Sequence, residues 1–305
     1  MMGYTDRHFR FLYELFFPSF SLFTEMVPID YVINRTDGKK IKFHNLKNPP
    51  ICQLGGNDPI KFVEASIKLS QLGFHQVDIN CGCPSSKVSE GEFGVVLMND
   101  PIKVASCVRA IKDRVDLDVS VKCRIGIDDN DDYSFLKQFV KTIEEEEVCS
   151  VTVHARKALL NGVSPKENRA IPPLKYDYAI RLQEEFPDLP IILNGGINSI
   201  EQVQLFEEKV YGIMFGRLAY QDPFTLHRIS QHYQKNNFDK DQIKQSMMDY
   251  LEREIRCGTT YQKITRHLVN FKKNHPNAKK WRYALINCES PLEASRLIDE
   301  MLLVF

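Results

Sequence analysis

The sequence predicts an α/β fold, a parallel (β/α)8 barrel followed by an all-helical C-terminal domain, and three observations carry the prediction. Short apolar runs alternate with longer amphipathic stretches over residues 22–215, as expected of strands covered on both faces by helices. Polar residues stand at the C-terminal end of nearly every run: Glu25, Gln53, Asn80, Lys122, Arg124, His154, Asn194 and Arg217. A closed barrel collects such ends on one face, where its site lies, and this favours a barrel over a doubly wound sheet. Glycine turns follow the last two runs, Asn194-Gly195-Gly196 and Gly216-Arg217, where barrels hold a phosphate on backbone N–H groups.

In order, the expected strands are residues 22–27, 51–54, 76–79, 119–123, 150–154, 191–193 and 211–215. Helices are expected over 59–72, where Pro59 suits a first turn, and over 101–114, 133–145, 176–186 and 199–207. These are seven strands, so the first strand of the barrel is expected to precede Met1. The N-terminus reads as clipped, with residues 1–5 the remainder of the following loop. After Phe224 the strand-like runs stop, and helices are expected over 247–258, 261–273, 281–286 and 291–303. The division is a barrel domain over 1–235 and a helical domain over 236–305, with 235–241 as linker.

Composition narrows the function. Of 305 residues, 43% are hydrophobic and 26% charged, enough to bury a sizeable core. The most apolar early stretch, 11–27, is broken by Glu14, Pro18, Ser19, Ser21, Thr24 and Glu25, which argues against a membrane span. Eight scattered cysteines and no signal peptide point to reduced thiols in a cytoplasmic protein. Cys81-Gly82-Cys83 is too tight for a zinc pair, and the acidic runs 128–132 and 144–147 read as solvated surface, so no metal is expected. Net charge is zero but uneven. Residues 1–224 carry 26 Lys+Arg against 31 Asp+Glu, and 225–305 carry 14 against 9. A basic helical appendage suits a polyanion, although a solvated helical surface has the same composition.

The richest segment is Asn80-Cys81-Gly82-Cys83-Pro84-Ser85. A thiol at Cys83, in a mobile loop over the barrel mouth, suits a nucleophile or general acid, against the alternative of a structural cysteine. Lys122 and Arg124 alternate on one strand and therefore share a face. Their charges need anions there, either a flavin or nucleotide or carboxylates such as Glu25 and Asp78. His154 ends its strand ahead of Arg156 and Lys157, with Arg169 following in the same basic loop, which suits a phosphate-rich ligand or simple solvation. Gln53 offers donor and acceptor to a ring edge.

These segments resemble the tRNA-dihydrouridine synthases, most closely the A-type subgroup. The likeness covers residues 1–225 in order: Met1-Met2-Gly3-Tyr4-Thr5-Asp6-Arg7, Thr24-Glu25-Met26, Gln53-Leu54-Gly55-Gly56, Asn80 to Ser85, Lys122-Cys123-Arg124-Ile125-Gly126, His154-Ala155-Arg156-Lys157-Ala158, Ser164 to Arg169, Pro172-Pro173-Leu174, Asn194-Gly195-Gly196-Ile197 and Gly216-Arg217-Leu218-Ala219-Tyr220. The resemblance implies an FMN enzyme on a (β/α)8 barrel with a helical tRNA-binding domain. It reduces the C5–C6 bond of tRNA uridines, at positions 20 and 20a in this subgroup, with NADPH as reductant. It implies Cys83 as the acid that protonates C5 and Asn80 as the residue that orients the flipped uracil. Met1, Met2, Gln53, Lys122 and His154 would meet the flavin, and Asn194, Gly195, Gly196, Gly216 and Arg217 its phosphate arm. Arg156, Lys157 and Arg169 would meet RNA, with Arg124 grouped among them as a support. A monomer is the family's usual state.

The chain departs from the pattern in three places. The family normally has Ala-Pro and a short strand before the Met-Met pair, Asp-Arg where Ser86-Lys87 stands, and Ala-Cys where Val95-Val96 stands. Two other functions remain in view: an FMN barrel acting on a free small molecule, in the manner of dihydroorotate dehydrogenases, and a tRNA-binding protein without catalysis.

Overall fold

The structure, a computed structural model, describes residues 1–35, 41–43, 48–164, 166–233 and 239–304. Seven strands form one parallel sheet: β1 (Val27–Pro28), β2 (Cys52–Gly55), β3 (Gln76–Cys81), β4 (Asp118–Arg124), β5 (Ser150–His154), β6 (Ile191–Asn194) and β7 (Gly212–Met214). Each pairs with the next in sequence, in the order β1 to β7, the winding of a (β/α)8 barrel. Register aligns the strand ends, with Asn80 opposite Lys122, Arg124 opposite His154, and His154 opposite Asn194. Val77, Ile79, Val119, Val121, Cys123, Val151 and Val153 are buried on the alternate positions. The other face of the same strands turns polar side chains inward.

Helices α1 (Arg7–Phe16) and α2 (Ile29–Asn34) flank β1. The outer helices that follow begin where local chemistry starts them. Asp58 caps α3 (Pro59–Gln71), accepting from the N–H groups of Ile60 and Lys61, with Pro59 at the first position. A short α4 (Ser86–Glu90) comes after β3. Asp100 and Pro101 start α5 (Pro101–Lys112), and Asp132 caps α6 (Tyr133–Glu144). The helices α7 (Tyr176–Glu185) and α8 (Ile200–Phe206) precede β6 and β7, and α9 (Arg217–Gln221) and α10 (Pro223–Tyr233) follow β7.

The expected strand at 22–27 is mostly not a ladder. Only Val27–Pro28 pairs regularly, beyond an isolated bridge from Phe23 to Ile51. The reason is Thr24: its hydroxyl, not a main-chain carbonyl, accepts the Gln53 N–H at 3.0 Å and itself donates to Glu25 O at 2.7 Å. No ladder joins β7 to β1 among the described residues. Across that seam the Gly3 N–H donates to Glu25 Oε1 at 2.5 Å, Phe20 meets Phe215 edge-on, and Tyr13 donates to Ala219 O.

Helix α1 is absent from the sequence expectations. It starts at Asp6, which accepts from the N–H groups of His8 and Phe9. Of the C-terminal helices α11 (Lys240–Arg256), α12 (Tyr261–Thr265), α13 (Ala278–Ile286) and α14 (Pro291–Leu302), it packs against α11 and α12, and against the turn Arg266–Lys272. Phe11 stacks on Tyr250 at 3.8 Å between centroids, Phe16 meets Phe271 at 5.0 Å, and His8 Nδ1 lies 2.7 Å from Tyr250 Oη. Arg7 pairs with Glu254 at 2.5 Å, and Asp6 with Arg266 and His267 at 2.6 and 2.9 Å.

The expected helix 247–258 begins earlier, at Lys240, where Asp239 caps it. The helix expected over 261–273 splits into α12 and a tighter turn, Arg266–Lys272. At the split, Thr265 Oγ1 donates to Tyr261 O and Leu285 O at 3.1 and 3.0 Å, competing with regular helix bonding. The expected linker at 235–241 lies largely outside the described residues.

Candidate active site at the mouth of the barrel

Cys83 sits just beyond β3, half-buried. Its backbone is clamped on both sides: its N–H donates to Asn80 Oδ1 at 3.0 Å, and its carbonyl accepts from Val95 N at 3.1 Å. The loop expected to be mobile is therefore held at the cysteine itself. Gly94 makes the approach possible, since at φ +73° an added Cβ would lie 2.7 Å from the Cys83 carbonyl. The thiol faces Ser85 Oγ at 3.7 Å.

Below it, the strands form a continuous line of polar groups. Asn80 Nδ2 donates to Gln53 Oε1 at 2.9 Å, and Gln53 Nε2 donates to Asp78 Oδ2 at 2.9 Å. Ser120 donates to Asp78 Oδ1 at 2.8 Å, and Gln76 to Ser120 Oγ at 3.1 Å. Asp78 is fully buried. Burial pushes its carboxyl up to about 6, against the bonds from Gln53 and Ser120 and the charge of Lys122.

Lys122 reaches Asn194 Oδ1 at 3.4 Å, and Asn194 is fixed by donating to Met214 O at 2.8 Å. Burial lowers the Lys122 ammonium, with Asp78 opposing. His154 is held well below its ordinary value by burial and by the charges of Arg124, Lys122, Arg156 and Arg217, so its imidazole is neutral. Those four cations thus converge on one ring. Among the described residues none of them pairs with a carboxylate, and neither does Arg169, which stands close enough to act on Arg124.

The double-glycine turn packs against the same ring. Gly195 has φ +125°, and a Cβ there would lie 2.8 Å from His154 Cδ2. Tyr176 Oη donates to Gly195 O at 2.8 Å, fixing the turn from outside. Among the described residues the N–H groups of Gly195, Gly196 and Ile197 have no acceptor. Met1 closes the other side, its sulfur 3.8 Å from where a Cβ on Gly216 would stand, while Met2 is exposed. Arg217 is exposed and donates to Arg169 O at 3.1 Å.

This arrangement is a concave, electropositive mouth lined by a clamped thiol, a neutral imidazole, a desolvated amine and free backbone donors. A family model described as dihydrouridine synthase matches residues 1–304. The chain belongs to the dihydrouridine synthase family. It is 39% identical over 286 residues to a tRNA-dihydrouridine(20/20a) synthase of Xanthomonas axonopodis pv. citri, covering 93% of this chain and 86% of the relative. A protein of the same name from Vibrio cholerae is 38% identical over 307 residues, covering 99% and 94%. One from Synechocystis is 39% identical over 288 residues, covering 93% and 86%.

Within this dihydrouridine synthase fold, two residues counted with the RNA contacts turn inward. Arg124, 3% exposed, donates to the carbonyls of Gly82, Lys157 and Asn168 at 2.9, 2.9 and 3.1 Å and staples the loop after β3 to the loop after β5. Burial lowers its guanidinium to about 10, which leaves it charged. Lys157 donates to Asp128 O at 2.7 Å and stands 3.5 Å from Asp131, so its charge anchors the acidic turn at 128–131. Arg156 donates to Ala170 O at 3.3 Å and to Pro172 O, half-buried beside Arg217. Arg169 remains exposed. The alternative weighed for these cations, an ion pair of Lys122 or Arg124 with Glu25 or Asp78, does not form among the described residues.

Sequence reasoning missed Asn168, which is fully buried and bonds Leu159 on both its N–H and carbonyl at 2.7 and 2.8 Å. It also took Asp78 only as a counter-charge. The available signal was an acid on an apolar strand, two positions before Asn80. No helix among the described residues is long and apolar enough to cross a membrane.

Proposed function

We propose that this chain reduces the C5–C6 double bond of uridine in tRNA to 5,6-dihydrouridine, with flavin mononucleotide as cofactor, NADPH as reductant, and D-loop positions 20 and 20a as targets. The observation that carries the proposal is the set of cations at the mouth without carboxylate partners, beside three backbone N–H groups without acceptors. Buried donors of that kind require an anion to complete them. A flavin phosphate fits the turn at Gly195, Gly196 and Ile197 with Gly216, Arg217 and Arg156 beside it. Gln53, Lys122, His154, Met1 and Met2 are the residues that would hold the ring system.

When bound and reduced, that group supplies the hydride that adds to uracil C6. The chain's own residues do the rest. Cys83 gives its thiol proton to C5, so that hydride and proton together saturate the bond. Lys122 places positive charge where enolate-like charge develops on the uracil, and its desolvation strengthens that interaction. Neutral His154 can donate or accept at the ring without adding charge. Asn80 holds the Cys83 loop by its carbonyl oxygen and leaves part of its amide for the base.

The target uridine must leave its stack to reach this mouth. Contacts to the RNA backbone offset that cost. Arg169 at the rim, and Lys273, Lys279, Lys280 and Arg282 on the helical part, are exposed and free of ion pairs among the described residues. In this scheme residues 1–235 form the flavin-binding barrel and 236–305 the RNA-binding helices. The chain works as a monomer in the cytoplasm.

The test is to incubate unmodified tRNA transcript with the protein, FMN and NADPH, digest it, and weigh the fragments. A two-hydrogen mass gain confined to the D-loop fragment is expected. Reduction of free pyrimidine nucleosides with none in tRNA would overturn the proposal.

A further inference from the structure

We propose that Asp78, which contributes no atom to the reaction described above, is a positioning residue that sets the direction of the hydrogen-bond line ending at Cys83. The inference rests on the proposed role of Cys83 and on the order of donors and acceptors beneath it. An ionised carboxylate can only accept. Both oxygens of Asp78 are occupied, Oδ1 by the Ser120 hydroxyl and Oδ2 by Gln53 Nε2. The Gln53 amide must therefore turn its NH2 to Asp78, which leaves Oε1 facing the other way. Oε1 accepts from Asn80 Nδ2 at 2.9 Å. That in turn commits Asn80 Oδ1 to the loop, where it accepts from Gly82 N at 3.3 Å and Cys83 N at 3.0 Å.

Two side-chain amides could each point either way, and the carboxylate at the closed end removes the choice. A reversed Gln53 would put oxygen against oxygen at Asp78 and NH2 against NH2 at Asn80. Asp78 is 0% exposed and Asn80 7%, so water is poorly placed to rescue the mismatch. Gln76 secures the line from below through Ser120. The simpler explanation, that Asp78 only balances the charge of Lys122, requires a negative charge in this region but no particular order of donors and acceptors.

An isosteric exchange separates the two. In Asp78→Leu the Gln53 NH2 loses its acceptor, whereas in Asp78→Asn the amide oxygen still accepts from Gln53 and the NH2 turns to Ser120 Oγ, so the charge is lost and the order is kept. In Gln53→Glu two carboxylates oppose each other. In the double variant Asp78→Asn/Gln53→Glu the introduced amide donates to the introduced carboxylate, and that carboxylate still accepts from Asn80. Shape, charge and the bond to the Cys83 loop are all kept. Two readouts are taken on the FMN-loaded proteins. One is single-turnover reoxidation of the reduced flavin by tRNA. The other is the rate at which iodoacetamide alkylates Cys83, followed by peptide mass spectrometry.

Asp78→Leu is expected to slow reoxidation by about 10- to 100-fold with half-saturating tRNA changed by less than about twofold, and to raise Cys83 alkylation several-fold, while Asp78→Asn stays within about threefold of the parent in both. The double variant returns both to within about threefold of the parent. Parent-like behaviour of Asp78→Leu, an Asp78→Asn as impaired as Asp78→Leu, or a double variant no better than Gln53→Glu overturns the inference. If Asp78→Leu yields no folded protein, comparing the double variant with Gln53→Glu alone decides the same question: rescue supports the inference and its absence overturns it. Failure of the parent protein to reoxidise with tRNA would instead refute the proposed function, and alkylation would still decide the role of Asp78.

Discussion

Gly195→Ala is the perturbation whose size the structure fixes best. Two costs add. At φ +125° an L-residue is strained by about 1–3 kcal/mol. The new Cβ would also stand 2.8 Å from His154 Cδ2 and 3.0 Å from Leu174 Cδ2. Carbon atoms pack at about 3.5–4 Å, so the ring or the turn must retreat by roughly 0.7 Å or more. Overpacking of that kind costs about 1–3 kcal/mol. The turn carries the free N–H groups and the ring is proposed to meet the flavin, so part of the cost is expected to fall on cofactor binding. A loss of about 1.4–3 kcal/mol in affinity corresponds to roughly 10- to 150-fold weaker FMN binding. The assay is titration of cofactor-free protein with FMN, followed by quenching of flavin fluorescence. Gly162→Ala is the control: its φ is +73° but nothing lies within 4 Å of an added Cβ. It should lower the melting temperature slightly and leave FMN affinity unchanged. Gly195→Ala binding FMN within twofold of the parent, while folded, would refute the placement of the cofactor at this turn.

Other expectations follow from the same geometry. Arg124→Leu leaves three loop carbonyls without their donor and should cost about 3 kcal/mol or more in stability, seen in denaturant unfolding, with catalysis falling as Cys83 loses its support. Replacing Lys279, Lys280 and Arg282 by Ala should weaken tRNA binding without altering flavin reduction by NADPH. The slope of log affinity against log salt should shrink by roughly 0.7–0.9 for each lost phosphate contact, and an unchanged slope would remove α13 from the RNA interface. Burial lowers His8 from 6.5 to about 4, so the folded state prefers the neutral ring, whose Nδ1 lies 2.7 Å from Tyr250 Oη. Its contribution to stability is present above about pH 6.5 and is lost as pH falls through 4, roughly 3 kcal/mol in all. His8→Phe should flatten unfolding free energy against pH in that window, and an unaltered slope would contradict the assignment.

Much of the fold was legible because a parallel sheet writes itself plainly. Ser150–His154 ended where the apolar run ended, and Pro59 marked the first turn of α3. What escaped was structure set by side chains standing in for backbone. Thr24 breaks the first ladder with its hydroxyl, and Thr265 splits a helix the same way. Helix α1 escaped because its apolar face merged with the apolar residues after it, and its partners lie at the far end of the chain. At the site, residue types and strand ends located the mouth. They could not tell a cation facing ligand from one facing carbonyls. Lys157 reads like Arg169 in sequence, and only burial and bonding separate them. The direction of the Gln53 and Asn80 amides is likewise a property of the folded line, not of the letters.

Everything proposed for this mouth turns on its holding a flavin and passing the reducing equivalents to tRNA with Cys83 as proton donor. The most direct measurement is anaerobic: bleach the flavin-loaded protein with NADPH, add unmodified tRNA, and follow the return of flavin absorbance. Absorbance should recover with tRNA and stay bleached without it. In Cys83→Ala, bleaching should be equal but recovery slowed by about 10²- to 10⁴-fold. Recovery at the parent rate in Cys83→Ala would contradict the role of the thiol, and no recovery of the parent with tRNA would contradict the reaction itself.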